Sequence, residues 1–139
     1  MRYVWQQFRR PVPTTLSLTP QESLTALATA MIAIDDEVLP VELAKLREQL
    51  VAAGVDVSPS LWARVSQWVQ EVDPLELFWA GVRGLVPQDR ELAVKMVARL
   101  ALADGETLIE ENDLVALLGE VLGFSHQEVR RLVAQATAA

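Results

Sequence analysis

Ala101-Leu-Ala-Asp-Gly-Glu-Thr-Leu-Ile-Glu-Glu111 is the stretch on which the reading of this chain turns. An apolar helical pattern runs into Asp104 and Glu106, and Glu111 lies where a new helix begins. An earlier version stands at Met31-Ile-Ala-Ile-Asp-Asp-Glu-Val-Leu-Pro-Val-Glu42. Both fit Asp-x-Glu-x4-Glu, with Asp35, Glu37 and Glu42 answering in constant register to Asp104, Glu106 and Glu111. The same register carries Leu39 onto Leu108 and Gly54 onto Gly123, giving five identities in the twenty pairs from residue 35 to 54. Unrelated segments would give roughly one or two.

Working outward, helix signals surround each acidic turn. Thr19-Pro20-Gln21-Glu22 reads as a capping box with proline at the first helical position. Leu24, Leu27, Ala28, Met31 and Ile34 follow at helical spacing. Pro40 starts a second helix that buries Leu43, Leu46, Leu50 and Ala53 and stops at Gly54. Ser58-Pro59 opens a third helix with Leu61, Val65, Trp68, Val69 and Val72 on one face. Asp73-Pro74-Leu75-Glu76 opens a short fourth, which ends near Leu85 and carries Phe78, Trp79 and Val82.

Pro87-Gln-Asp89-Arg-Glu91 then starts a long helix through Leu92, Met96, Leu100 and Ala103. After the second acidic turn comes a helix with Leu114, Leu117, Leu118 and Val121 that stops at Gly123. Ser125-His-Gln-Glu128 caps the last, with Val129, Leu132, Val133 and Ala136. Beyond the glycines the register shifts by two, so that Ser58 meets Ser125. The expected fold is all-α: one domain of about seven helices built from two pseudo-repeats, over residues 20–139. Residues 1–19 form a tail or linker, because Pro11-Val-Pro-Thr-Thr opposes a helix.

Composition agrees. The 139 residues suit one domain, and hydrophobic residues make up 51% while aromatics reach only 6%. A net charge of −7 disfavours nucleic acid and anionic membrane surfaces. The chain has no cysteine, which excludes disulfides, thiolate metal sites and a cysteine nucleophile. No apolar run approaches the roughly 20 residues of a membrane span. Met1-Arg-Tyr-Val-Trp-Gln-Gln-Phe-Arg-Arg10 has no apolar core of a signal peptide, so a cytoplasmic protein is expected. That segment is basic and aromatic, and reads as a tail packing on the acidic domain of its own or a neighbouring chain, or as a membrane-surface or partner-docking peptide.

The acidic turns carry the candidate chemistry. Glu42 and Glu111 admit two readings, as caps at a helix N-terminus or as ligands. Asp35, Glu37, Asp104 and Glu106 are harder to explain as caps, because an Asp at a helix C-terminus opposes the helix dipole. Three carboxylates per turn, or six if the turns meet, suit a hard cation, with Ca²⁺ or Mg²⁺ foremost. The spacing is not that of an EF-hand. His126, the single histidine, belongs to an exposed first turn and cannot build a usual zinc site without cysteine. No phosphate loop or Ser-His-Asp set exists, so no enzyme is expected.

The helix, Ala-Asp-Gly-Glu106 with Glu111, and helix, preceded in the first half of the chain by Ile34-Asp-Asp-Glu37 with Glu42, resemble the TerB family of tellurite-resistance proteins. The same domain is similar to the N-terminal region of DjlA-type co-chaperones. The resemblance covers about residues 20–137. It implies a pseudo-symmetric seven-helix domain with clustered acids and a noncatalytic role in divalent-cation binding and stress-response assemblies. Carried over, the metal residues are Asp35, Glu37, Glu42, Asp104, Glu106 and Glu111. The chain departs at Asp36, where glycine is frequent, and at Leu39 and Leu108, where a polar cap is usual. The partners it implies are proteins, membrane-associated ones among them, with a homodimer as one option. The alternative is a metal-independent interaction domain whose acidic turns are structural caps.

Overall fold

The computed structural model describes residues 10–34, 38–102 and 109–138. Its elements are α1 (Pro20–Ala33), α2 (Pro40–Ala52), α3 (Pro59–Glu71), α4 (Pro74–Gly84), a 3-10 turn (Pro87–Asp89), α5 (Arg90–Leu102), α6 (Ile109–Val121) and α7 (His126–Thr137). No strand occurs among the described residues. The protein is an all-α single domain.

Local chemistry sets the helix starts. The Thr19 hydroxyl accepts from Glu22 N–H (3.2 Å), and Glu22 Oε1 accepts from Thr19 N–H (2.9 Å). Ser58 accepts from Leu61 N–H, and Asp73 from Leu75 N–H. Each serves one of the four N–H groups that a helix start leaves unbonded. The fifth helix begins later than its proline suggests. Pro87 opens a 3-10 turn closed by Asp89 N–H to Val86 C=O, and α-geometry starts at Arg90.

The duplication extends to individual backbone bonds. Gly54 and Gly123 have φ of +85° and +92°. Gly54 N–H bonds Val51 C=O and Val55 N–H bonds Leu50 C=O; Gly123 N–H bonds Glu120 C=O and Phe124 N–H bonds Gly119 C=O. These are two Schellman stops with the same bond pattern at equivalent positions of the repeats. The helices match as well. α2 and α6 have the same length and begin in the register of the acidic turns, and α3 and α7 begin in the register that aligns Ser58 with Ser125.

α1 is the axis of the domain. The spacing of its leucines suggests a one-sided apolar stripe, yet every residue from Ser23 to Ala33 is buried. The reason is coverage from all sides, because α2, α3, α4 and α5 all pack on it, and α4 most extensively. Inside this contact Thr25 and Thr29 satisfy their hydroxyls on the carbonyls of Gln21 and Thr25 (2.8 and 2.7 Å). Among the described residues α4 has no counterpart in the second repeat, where α5 packs chiefly on α7. Arg99 Nε of α5 donates to the Ala136 carbonyl near the C-terminus of α7 (3.1 Å), where a cation is favourable.

Residues 11–19 have no regular secondary structure and lie along the domain as an extended strap. Val12, Thr14, Leu16 and Leu18 are half-buried, and the residues between them are exposed. Thr14 donates to Glu76 at the start of α4 (2.8 Å). Near the end of α4, the Leu18 carbonyl lies 3.0 Å from where a Gly84 β-carbon would stand. Four extended residues cover about 13 Å and eight helical residues about 12 Å, so the strap runs parallel to α4.

Candidate functional site

The acidic corners join equivalent elements in the two repeats. One lies between α1 and α2, the other between α5 and α6. α5 packs on both α1 and α2, so the two repeats share one core. Asp35 and Glu37 in the first corner, and Asp104 and Glu106 in the second, lie outside the described residues. Glu111 is the third residue of α6.

Glu42 is placed in full. It is the third residue of α2, half-buried, and its Oε1 accepts from Leu39 N–H at 2.9 Å. Leu39 has no side-chain oxygen to return the bond, so only half of a capping box forms. Glu42 N–H is satisfied instead by the Leu39 carbonyl (3.0 Å). The cap reading of Glu42 is therefore realised in this structure. A carboxylate can accept more than one bond, so capping does not by itself exclude a second role. Among the described residues, no group of three or more His, Asp or Glu is placed to hold a metal ion.

The other candidates have structural places. Trp68 and Trp79 are core residues; Arg64 stacks on Trp68 at 5.2 Å, and Phe78 meets Trp79 edge-on at 5.4 Å. Arg64 also pairs with Glu22, tying α3 to the capped start of α1. Trp62 is half-buried, with the Arg47 guanidinium 5.5 Å from its ring centroid. His126 is exposed at the first position of α7. It borders a cleft of about 360 Å³ that also involves Phe124, Val129 and Arg130. Single-residue reading missed this cleft. The signal that locates it is the difference between the repeats, bulky at Trp62 and small at Val129.

Among the described residues no helix is long and apolar enough to cross a membrane. No curated protein and no solved structure matches this chain. The family model of tellurite resistance protein TerB matches residues 21–134, from the first turn of α1 into α7. With its duplicated helices and paired acidic corners, the chain belongs to the TerB family.

Proposed function

We propose that this chain is a noncatalytic TerB module that binds a divalent cation, Ca²⁺ or Mg²⁺, at its acidic corners and serves as an adaptor in a tellurite- or metal-stress system. The observation that carries the reading is the equivalence of the corners: α1 and α5 end, and α2 and α6 begin, in the one register that also aligns the acidic residues. The acidic pattern therefore recurs at equivalent joints of the fold. The last turn of α1 contains no basic residue to offset the charge of Asp35 beyond it. A hard cation with oxygen ligands would do so. The chain has no cysteine nucleophile, and acid–base work by paired carboxylates would need one carboxyl of raised pKa in an apolar pocket, which the sequence of the corners does not indicate.

The test is titration with Ca²⁺, Mg²⁺, Mn²⁺ and Zn²⁺, followed by melting temperature and amide shifts. Asp35→Asn and Asp104→Asn should weaken the response. A response in both variants equal to that of the parent would sink the cation reading.

The Glu42 cap favours a second reading, a metal-independent interaction domain in which the corners only join helices. Under that reading chelator and metal leave the melting temperature unchanged. A captured partner would then be lost on trimming residues 1–10 or on changing an exposed aromatic.

A further inference from the structure

We infer that the cleft between the end of α6 and the start of α7 seats one planar aromatic side chain, of tryptophan size, presented by a partner protein. The inference is independent of the acidic corners. It rests on what the second repeat lacks relative to the first.

In the first repeat the joint of α2 and α3 carries three bulky side chains. Leu50 is fully buried, Trp62 packs against the core, and Arg47 lies over the Trp62 ring. The equivalent positions in α6 and α7 hold Gly119, Val129 and Ala116. All three are smaller, and Val129 closes directly onto the backbone of Gly119. The cleft of about 360 Å³ opens at this joint, with Ala116 and Val129 in its lining. Its size is at the lower end of the range for ligand sites.

The surrounding positions change in the opposite sense. Val51, Pro59 and Ala63 of the first repeat answer to Glu120, His126 and Arg130, all exposed and all lining the cleft. Small side chains at Ala116 and Val129 beside the polar Glu120, His126 and Arg130 leave room for an apolar group with polar contacts at hand, as binding pockets do. The first repeat supplies its own ring and cation there; the second keeps a cation, Arg130, and the half-buried ring of Phe124, with no tryptophan between them. An inserted ring would have the Phe124 ring and the Arg130 guanidinium as neighbours, the two kinds of contact aromatic side chains favour.

An anion fits less well. Ser125 and Glu128 already cap the start of α7 reciprocally (2.9 and 3.1 Å), and Glu120 places a carboxylate in the lining. The cleft is partly open to solvent, so a ring can enter while its backbone stays on the surface.

The experiment is an amide-shift titration of the ¹⁵N-labelled full chain with N-acetyl-L-tryptophanamide to about 10 mM, against N-acetyl-L-leucinamide as the aliphatic control. Saturable shifts centred on Gly119, Phe124 and Val129 are expected, with a roughly millimolar Kd and at least about tenfold weaker response to the leucine probe. Ala116 is exposed, so Ala116→Trp should fold and plug the cleft, weakening the tryptophan probe by about tenfold or more. The inference is overturned if the parent shows no saturable shifts there, if both probes act alike, or if folded Ala116→Trp binds as the parent does. Should Ala116→Trp fail to fold, the comparison of the two probes on the parent decides.

Discussion

Gly81 of α4 and Leu27 of α1 touch through a space too small for a methyl group. A β-carbon on Gly81 would stand 2.7 Å from Leu27 Cγ and 3.0 Å from the Ser23 carbonyl oxygen. Leu27 is 1% exposed, in a helix buried from Ser23 to Ala33, so it has little room to retreat. Gly81→Ala should therefore destabilise the domain although alanine is the better helix former. Overpacking costs about 1–3 kcal/mol against a propensity gain of about 1 kcal/mol, leaving a net loss of up to about 2 kcal/mol. Urea unfolding should show a lower midpoint at unchanged slope.

Gly54 and Gly123 are needed for a different reason. Nothing lies within 4 Å of a β-carbon at either position, but both have left-handed φ. Their alanine variants should each lose about 1 kcal/mol from backbone strain, and the two losses should be similar because the stops share one bond pattern. Asparagine, which tolerates this region better, should recover part of the loss in the same unfolding assay.

Gln49 points to a stabilising change. Its side-chain oxygen is buried without a hydrogen-bond partner, and the equivalent position in the second repeat is the buried Leu118. An unmet buried acceptor costs about 1–3 kcal/mol, whereas an apolar side chain of like shape carries no such cost. Gln49→Met should raise stability by about 1 kcal/mol, read as a higher melting temperature.

These positions also mark what the sequence could and could not reveal. Thr19, Ser58, Asp73 and Ser125 were legible as caps because capping involves only near neighbours in the chain. Gly54 and Gly123 were legible because each follows a helical run. Gly81 and Gly84 lie within a helix and declare nothing by spacing; their use is a close approach to α1 and to the strap. The all-round burial of α1 was hidden for the same reason, since it depends on where α4 packs. The acidic corners stand out in the sequence, but Glu42 shows that one carboxylate can be explained by its own helix end. The cleft emerges only when the two repeats are compared position by position.

Glu128 ties stability to pH. Its carboxyl is held below the ordinary glutamate value of 4.5, chiefly by the Ser125 backbone N–H, then by the Ser125 hydroxyl, with Arg131 adding less. A group lowered by folding contributes fully above its unfolded value, and the contribution is lost as pH falls through the folded one. Carbon-detected titration should place the Glu128 midpoint below 4.5. In Glu128→Gln, the acid limb of the melting-temperature profile should flatten over that window while the rest of the profile keeps its shape.

Glu42 offers the sharpest separation of cap from ligand. Glutamine keeps an oxygen that can accept from Leu39 N–H but removes the charge. Without metal, Glu42→Gln should lose no more than about 0.5 kcal/mol, the value of a carboxylate near a helix N-terminus, whereas Glu42→Ala should lose about 1 kcal/mol with the cap. If the corner binds Ca²⁺, charge removal should weaken affinity, and each tenfold loss should remove about 1.4 kcal/mol of metal-induced stabilisation at saturating metal. The measurement is the melting temperature of parent, Glu42→Gln and Glu42→Ala across a Ca²⁺ titration. Equal Ca²⁺ responses in the parent and Glu42→Gln, with only Glu42→Ala less stable, would leave Glu42 a cap alone and move the cation proposal onto Asp35, Glu37 and their counterparts in the second corner.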